Sequence, residues 1–154
     1  MTPREHVLAR PDTYIGDIEP TTDIMDVYDG KTITTKTIKY VPGFLKCFDE
    51  LLVNASDAAQ NDPNSDTISI EYTDEYIKIY NNGIIPVEEH PEHKSWVPSM
   101  IFGELLTSSN YDDSKKRTTG GRNGYGSKLC NIYATRFEVT VGDFRDGKLF
   151  HQVW

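Results

Sequence analysis

The sequence predicts an α+β fold, a two-layer α/β sandwich in which helices gather on one face of a mixed, mostly antiparallel sheet. Three observations predict it. Segments of period-two apolar alternation come in pairs separated by short polar turns, the signature of hairpins. Apolar stripes of helical period lie between those pairs without the regular βαβ alternation that a parallel sheet requires. The chain has 154 residues and is 37% hydrophobic, enough to bury one core and too little to argue for a second.

Residues Pro3 to Ala9 suit a short helix that stops at Arg10-Pro11, because the residue before a proline is pushed out of the α region. An extended arm is expected next. Between Val41 and Gln60, Phe44, Phe48, Leu51, Leu52 and Ala55 recur along one helical stripe, and Pro42 is well placed at its opening. Thr67 to Tyr72 and Tyr76 to Tyr80 alternate across Thr73-Asp74-Glu75 as a hairpin, which runs directly into Asn81-Asn82-Gly83. A loop rich in His, Glu and Pro leads to a second helix over Pro98 to Leu106. The polar stretch Thr107 to Asn123 follows and reads as a mobile lid. A third helix is expected from about Gly124 through Leu129 and Ile132, before Phe137 to Val141 and Leu149 to Val153 close the fold as a last hairpin.

Charge and composition exclude several roles. The chain carries 24 acidic and 16 basic residues, a formal net charge of −8, so no global field holds a nucleic acid backbone. Lys115, Lys116, Arg117, Arg122 and Lys128 nevertheless fall together in one Gly-rich stretch, a local excess that suits a small polyphosphate. Cys47 and Cys130 lack metal-ligand spacing and are too few for a disulfide scaffold, which points to a reducing compartment. No apolar run has the length of a membrane span and the start lacks a signal-peptide core, so an intracellular protein without a membrane partner is expected.

Three constellations carry chemistry. Glu50, Asn54 and Asp57, at i, i+4 and i+7, share the polar side of the long helix; a solvated helix face explains them equally when they are taken alone. Asn81-Asn82-Gly83 puts amide side chains at a strand end, where they can both donate to and accept from a base edge, although a simple turn has the same composition. Thr119 to Lys128 contains four glycines that bare backbone N–H groups just before a helix, an arrangement that attracts phosphate, while a flexible loop remains the plain alternative. A P-loop is excluded because Ser127-Lys128 stand in reverse order. A dinucleotide fingerprint is excluded because Leu129 occupies the place of its third glycine.

The stretch Phe48-Asp49-Glu50-Leu51-Leu52-Val53-Asn54-Ala55-Ser56-Asp57 resembles the Glu-x-x-x-Asn helix of the GHKL ATPase superfamily. Three further stretches select a branch. Arg10-Pro11-Asp12-Thr13-Tyr14-Ile15-Gly16 resembles the N-terminal arm of type IIA DNA topoisomerases. Leu105 to Asp113 and Gly120 to Ile132 resemble the eukaryotic-type members. The resemblance runs from about Glu5 to the end. It implies the Bergerat fold and an N-terminal ATPase domain over 1–154 with residues 1–16 as an arm. It also implies that the family's C-terminal strands and transducer domain, with its γ-phosphate lysine, lie outside this sequence.

Carried over residue by residue, the resemblance makes Glu50 the general base and gives Mg²⁺ to the Asn54 amide oxygen. ATP would be bound by Asn54, Asp57, Asn81, Ser108, Ser109, Asn110, Gly121, Arg122, Asn123, Gly124, Tyr125, Gly126 and Lys128. Tyr14 would reach the nucleotide of a partner subunit, in a homodimer formed through the arm. These roles match what phosphoryl transfer needs, a positioned water and neutralised phosphates. The implied function is an ATP-hydrolysing gate whose nucleotide-driven dimerisation is coupled to DNA strand passage, with DNA handled by the full-length enzyme and the protein nuclear if its host is a eukaryote. One departure stands out. Relatives carry Asn/Asp-x-Gly-x-Gly-Ile-Pro, whereas Asn81-Asn82-Gly83-Ile84-Ile85-Pro86 is one residue shorter and lacks the second glycine, which leaves the choice of Asn81 over Asn82 open.

Other readings compete with this one. A histidine kinase catalytic domain would use the same pocket but leaves the Tyr14 arm unexplained. A nucleotide-binding module in which ATP only fastens a dimer would show no turnover, and a purely structural domain would show no nucleotide affinity.

Overall fold

The computed structural model describes residues 1–105 and 125–154. They form two compact units, Met1–Cys47 and Phe48–Trp154.

In the first unit, α1 (Pro3–Ala9) has the expected bounds and starts on a complete capping box, in which Thr2 and Glu5 exchange side-chain-to-backbone hydrogen bonds. Arg10 leaves the helical region at φ −133°, ψ 59°, and Pro11 opens a second short helix, α2 (Pro11–Tyr14). Val7 and Ile15 are the buried apolar anchors of the two helices. Where an extended arm was expected, the chain makes a full hairpin: β1 (Thr21–Tyr28) pairs antiparallel with β2 (Ile33–Tyr40), from Thr21↔Tyr40 to Tyr28↔Ile33. Its turn rests on Asp29-Gly30. Gly30 supplies a φ of +96°, and the Asp29 carboxylate accepts from the Thr32 and Lys31 N–H groups at 2.9 Å each, which holds its carboxyl below the usual range.

The long helix α3 (Pro42–Asn61) runs from the first unit into the second, one residue displaced from expectation at each end. Its stripe is graded: Ala55 is buried, Phe48, Leu51 and Leu52 are half-buried, and Phe44 is exposed.

In the second unit β3 (Ile68–Tyr72) pairs with β4 (Ile77–Asn81), as read, across a turn in which the Thr73 hydroxyl accepts from the N–H groups of Glu75 and Tyr76. The next helix, α4 (Val97–Gly103), is shorter than expected because Glu104 is already extended at φ −101°, ψ 119°. It is followed, beyond residues 106–124, by α5 (Gly126–Tyr133) and by the closing hairpin of β5 (Glu138–Asp143) and β6 (Lys148–Val153). Among the described residues every strand pair is antiparallel.

The core of this unit is Val87, Val139 and Val141, wrapped by Ile85, Phe102, Phe137, Phe150 and Trp154. β5 reads out its period of two directly, with Val139, Val141 and Asp143 all facing inward. The inward Asp143 is a buried carboxylate and so needs partners. Arg145 clamps it with two hydrogen bonds, of 2.9 and 2.7 Å, and the Val87 N–H donates to it at 3.4 Å. That clamp holds the Asp143 carboxyl well below the usual range. It also ties the end of the 81–87 loop to β5.

Cys47 and Cys130 are not joined in a disulfide. Among the described residues no helix is long and apolar enough to cross a membrane.

Candidate functional site

The candidate site is built on the second unit, where α3, the end of β4 and the start of α5 approach one another. Helical spacing puts Glu50, Asn54 and Asp57 on one side of α3, and all three are half-buried rather than fully solvated. That partial burial argues against the solvated-face alternative.

The tightest approach is between Glu50 and Gly126. A Cβ built on Gly126 would lie 2.2 Å from Glu50 Oε2 and 3.1 Å from its Cβ and Cδ. Only a residue without a side chain lets the first turn of α5 come so near the carboxylate. Gly126 therefore lets the N-terminus of α5 approach the side chain read as general base. Two hydrogen bonds fix α5 there, from Ser127 Oγ to the Ile101 carbonyl and from Asn131 Nδ2 to the Phe102 carbonyl, each 3.0 Å. Tyr125 takes the N-cap position without a side-chain capping bond.

The loop after β4 closes against the other half of α3. A Cβ on Gly83 would meet Ala58 Cβ and Asn81 Nδ2 at 2.7 Å, so this glycine too is imposed by close packing. Ala58 adjoins Asp57, which puts the amide of Asn81 beside the Asp57 end of the helix. Asn82 has a different place. Its Oδ1 accepts from the Thr67 N–H at 3.0 Å, and its Nδ2 donates to the Asn64 carbonyl at 3.0 Å and to Asp66 Oδ1 at 3.1 Å. Asn82 is thus engaged in holding the loop to residues 64–67. The Asp66 carboxyl is lowered by the Thr67 hydroxyl and then by the Asn82 amide. Sequence reasoning missed this scaffold, because nothing in two adjacent asparagines tells which one turns inward.

Lys128 is 2% exposed in α5. Burial pushes its ammonium down to about 8, against the opposing pull of Glu104. In the unfolded chain the proton is held to about 10.5, so between about 8 and 10.5 the unfolded state binds more protons and stability rises with pH. Urea denaturation is expected to show the wild type gaining on Lys128→Met across that window, while a constant gap would show that the lysine is not desolvated.

Tyr14 lies in the first unit, half-buried at the end of α2. Ser108, Ser109, Asn110, Gly121, Arg122, Asn123 and Gly124, with the whole of the expected lid over 107–123, lie outside the described residues. Among the described residues no cluster of three His, Cys, Asp or Glu side chains could hold a metal.

The chain is similar to known proteins over nearly its whole length. No family model matches the chain. It is 50% identical over 156 residues to DNA topoisomerase 2 of Pisum sativum, covering 99% of this chain and 11% of that protein. It is 52% identical over 157 residues to DNA topoisomerase 2-alpha of Homo sapiens, covering 99% of this chain and 10% of that one. The ATPase region of topoisomerase II from Saccharomyces cerevisiae superposes with a TM-score of 0.96 at 45% identity, over 100% of this chain and 42% of that structure. The ATPase and transducer domains of the Balamuthia mandrillaris enzyme give 0.95 at 48%, over 100% and 40%. The fold is therefore the α+β sandwich that the sequence predicts. The chain spans about a tenth of the length of the curated relatives it matches.

Proposed function

The chain is a relative of the ATPase region of eukaryotic DNA topoisomerase II, and from that premise we propose that it binds and hydrolyses ATP as the nucleotide gate of a type IIA topoisomerase. The observation that carries the proposal is the contact of Gly126 with Glu50, which puts a helix N-terminus and a carboxylate at one point. Phosphate is drawn to the first, and a proton is taken by the second.

In this reading the nucleotide lies along α3. Asn81, beside Gly83, offers donor and acceptor to the adenine edge, since Asn82 is engaged in the loop scaffold. The phosphates approach the start of α5, at Tyr125, Gly126 and Lys128; Gly121, Arg122, Asn123 and Gly124 are assigned to phosphate, and Ser108, Ser109 and Asn110 to ribose and phosphate, from the sequence resemblance alone. Asp57 lies on the same side of α3 and supports the base end. Glu50 accepts a proton from water as the water oxygen bonds to the γ-phosphorus and the bond to the β–γ bridging oxygen breaks, releasing ADP.

The residues fit Mg²⁺ in a particular way. The described residues offer no all-protein cage, and a single amide oxygen from Asn54 suits a cation that prefers nucleotide oxygens and water for the rest of its shell. When bound, Mg²⁺ supplies charge neutralisation at the phosphates. Dimerisation through residues 1–16, DNA strand passage by the whole enzyme and work in the nucleus of a eukaryotic host belong to the same proposal.

The test is a calorimetric titration with a non-hydrolysable ATP analogue and Mg²⁺. Saturable binding is expected in the wild type, with Asn54→Ala weakening it by about 100-fold, the order of effect of losing a buried charge-linked contact. An Asn54→Ala chain that is folded and binds normally refutes the placement of the nucleotide. If Lys128 contacts phosphate, the added negative charge raises its proton affinity. Binding near pH 8 should then take up protons, visible as a dependence of the heat on buffer ionisation enthalpy.

A further inference from the structure

Asn82 grips the loop ahead of β3 on both sides of one residue. Its Nδ2 donates to the Asn64 carbonyl and to Asp66 Oδ1, and its Oδ1 accepts from the Thr67 N–H. Ser65 sits between those points, and its own N–H donates to the Asp62 carbonyl at 2.9 Å. The residue is 4% exposed, and its hydroxyl oxygen is sealed from solvent with no hydrogen-bond partner among the described residues. A buried hydroxyl is ordinarily partnered, so this one calls for a group that can come to it.

The surroundings of Gly83 identify that group. A Cβ built on Gly83 would lie 3.2 Å from Ser65 Oγ and 2.7 Å from both Asn81 Nδ2 and Ala58 Cβ. The hydroxyl oxygen and the amide nitrogen therefore border one point beside the bare Cα of Gly83. That point is too crowded for a methyl group, so it does not admit a base. Ser65 reaches a nucleotide through Asn81 rather than by touching it.

We propose that Ser65 is a positioning residue for Asn81: when adenine binds, the Asn81 amide closes onto Ser65, Nδ2–H donates to Oγ, and Oδ1 is left to accept from the 6-amino group of the base. The proposal rests on the reading of Asn81 as the residue that meets the adenine edge. Its direction follows from chemistry. Adenine presents an amino donor where guanine presents a carbonyl acceptor, so an outward Oδ1 favours adenine. Nδ2 is the amide atom beside the shared point, and its second hydrogen remains for a ring nitrogen of the base. The reverse bond, from the hydroxyl to Oδ1, would turn Nδ2 outward and leave the 6-amino group unrecognised.

In the full chain, calorimetry with Mg²⁺ compares ADP with purine riboside 5′-diphosphate, which carries hydrogen in place of the 6-amino group, and urea denaturation follows the fold without nucleotide. The wild type is expected to prefer ADP about tenfold, the effect of one hydrogen bond. Ser65→Ala is expected to abolish most of that preference by weakening ADP alone. Without nucleotide it is expected to unfold at the same urea concentration as the wild type or a higher one, since the methyl group replaces a buried hydroxyl with no partner there. Added to Asn81→Ala, it is expected to change neither affinity.

The failures separate. A wild type that binds neither diphosphate, or a folded Asn81→Ala chain that keeps the preference for ADP, removes the reading of Asn81 and this inference with it. Four results overturn the role of Ser65 and leave Asn81 standing: a preference that Asn81→Ala loses and Ser65→Ala keeps, an equal loss on both diphosphates in Ser65→Ala, a further loss when Ser65→Ala is added to Asn81→Ala, or a Ser65→Ala chain that is destabilised without nucleotide.

Discussion

Glu50→Gln is expected to lower ATP turnover by about 10²–10⁴-fold, the range associated with loss of a positioned general base, while Mg²⁺-nucleotide binding changes by no more than a few-fold. The substitution keeps the volume and the hydrogen-bonding reach of the side chain but removes the group that takes the proton. Since Glu50 packs against the first turn of α5, an isosteric change leaves that packing in place, and the loss falls on the chemical step. Steady-state phosphate release measured beside calorimetric affinity separates the two quantities. Turnover within a few-fold of wild type would mean that water is activated by another group and that Glu50 serves only to seat α5.

Gly126→Ala is expected to lower turnover about 100-fold in a chain that stays folded, the scale of loss that a 1 Å misplacement of a reacting group produces. The geometry sets this result. The new methyl would lie 2.2 Å from Glu50 Oε2, and the carboxylate end is the part of that contact able to yield. A flexible side chain moves aside at modest cost in stability, of order 1 kcal/mol for an off-rotamer χ, while the same movement carries the base away from its water. Two measurements check the argument. Circular dichroism and urea denaturation should show a cooperative fold close to wild type. In the Glu50→Gln background, Gly126→Ala should add little, because an effect exerted through Glu50 disappears when the carboxylate is already gone. A large additional loss there would show that Gly126 acts on the phosphates directly rather than through Glu50.

These expectations rest on features that were unequally visible in the amino-acid sequence. The helix at 42–61 and the two later hairpins were legible because each has a strong period and one-sided burial; in β5, for instance, Val139 and Val141 alternate cleanly into the core. The β1–β2 hairpin was missed although Asp29-Gly30 is a strong turn signal. Its strands are mostly exposed, with Ile24 at 70% and Ile33 at 71%, so their side chains keep no apolar alternation that a one-sided core would enforce. α4 was overextended because Leu105 and Leu106 continue an apolar run, and a run of that kind does not reveal where the backbone turns extended.

The sequence by itself determined the kinds of groups available and their spacing along each element: an acid, an amide and an acid along one side of a helix, glycines ahead of another helix, and a tyrosine beyond a helix break. The match of those motifs to the topoisomerase ATPase regions extends over the whole chain. Tertiary structure alone decided which groups meet. It set Gly126 against Glu50, turned Asn82 into the loop scaffold and left Asn81 beside Gly83, sank Lys128 into α5 where water no longer supports its charge, and folded His6 back onto Tyr14. The reason is physical: periodicity and propensity are properties of short windows, whereas distance, desolvation and hydrogen-bond choice depend on segments many residues apart that only packing brings within reach.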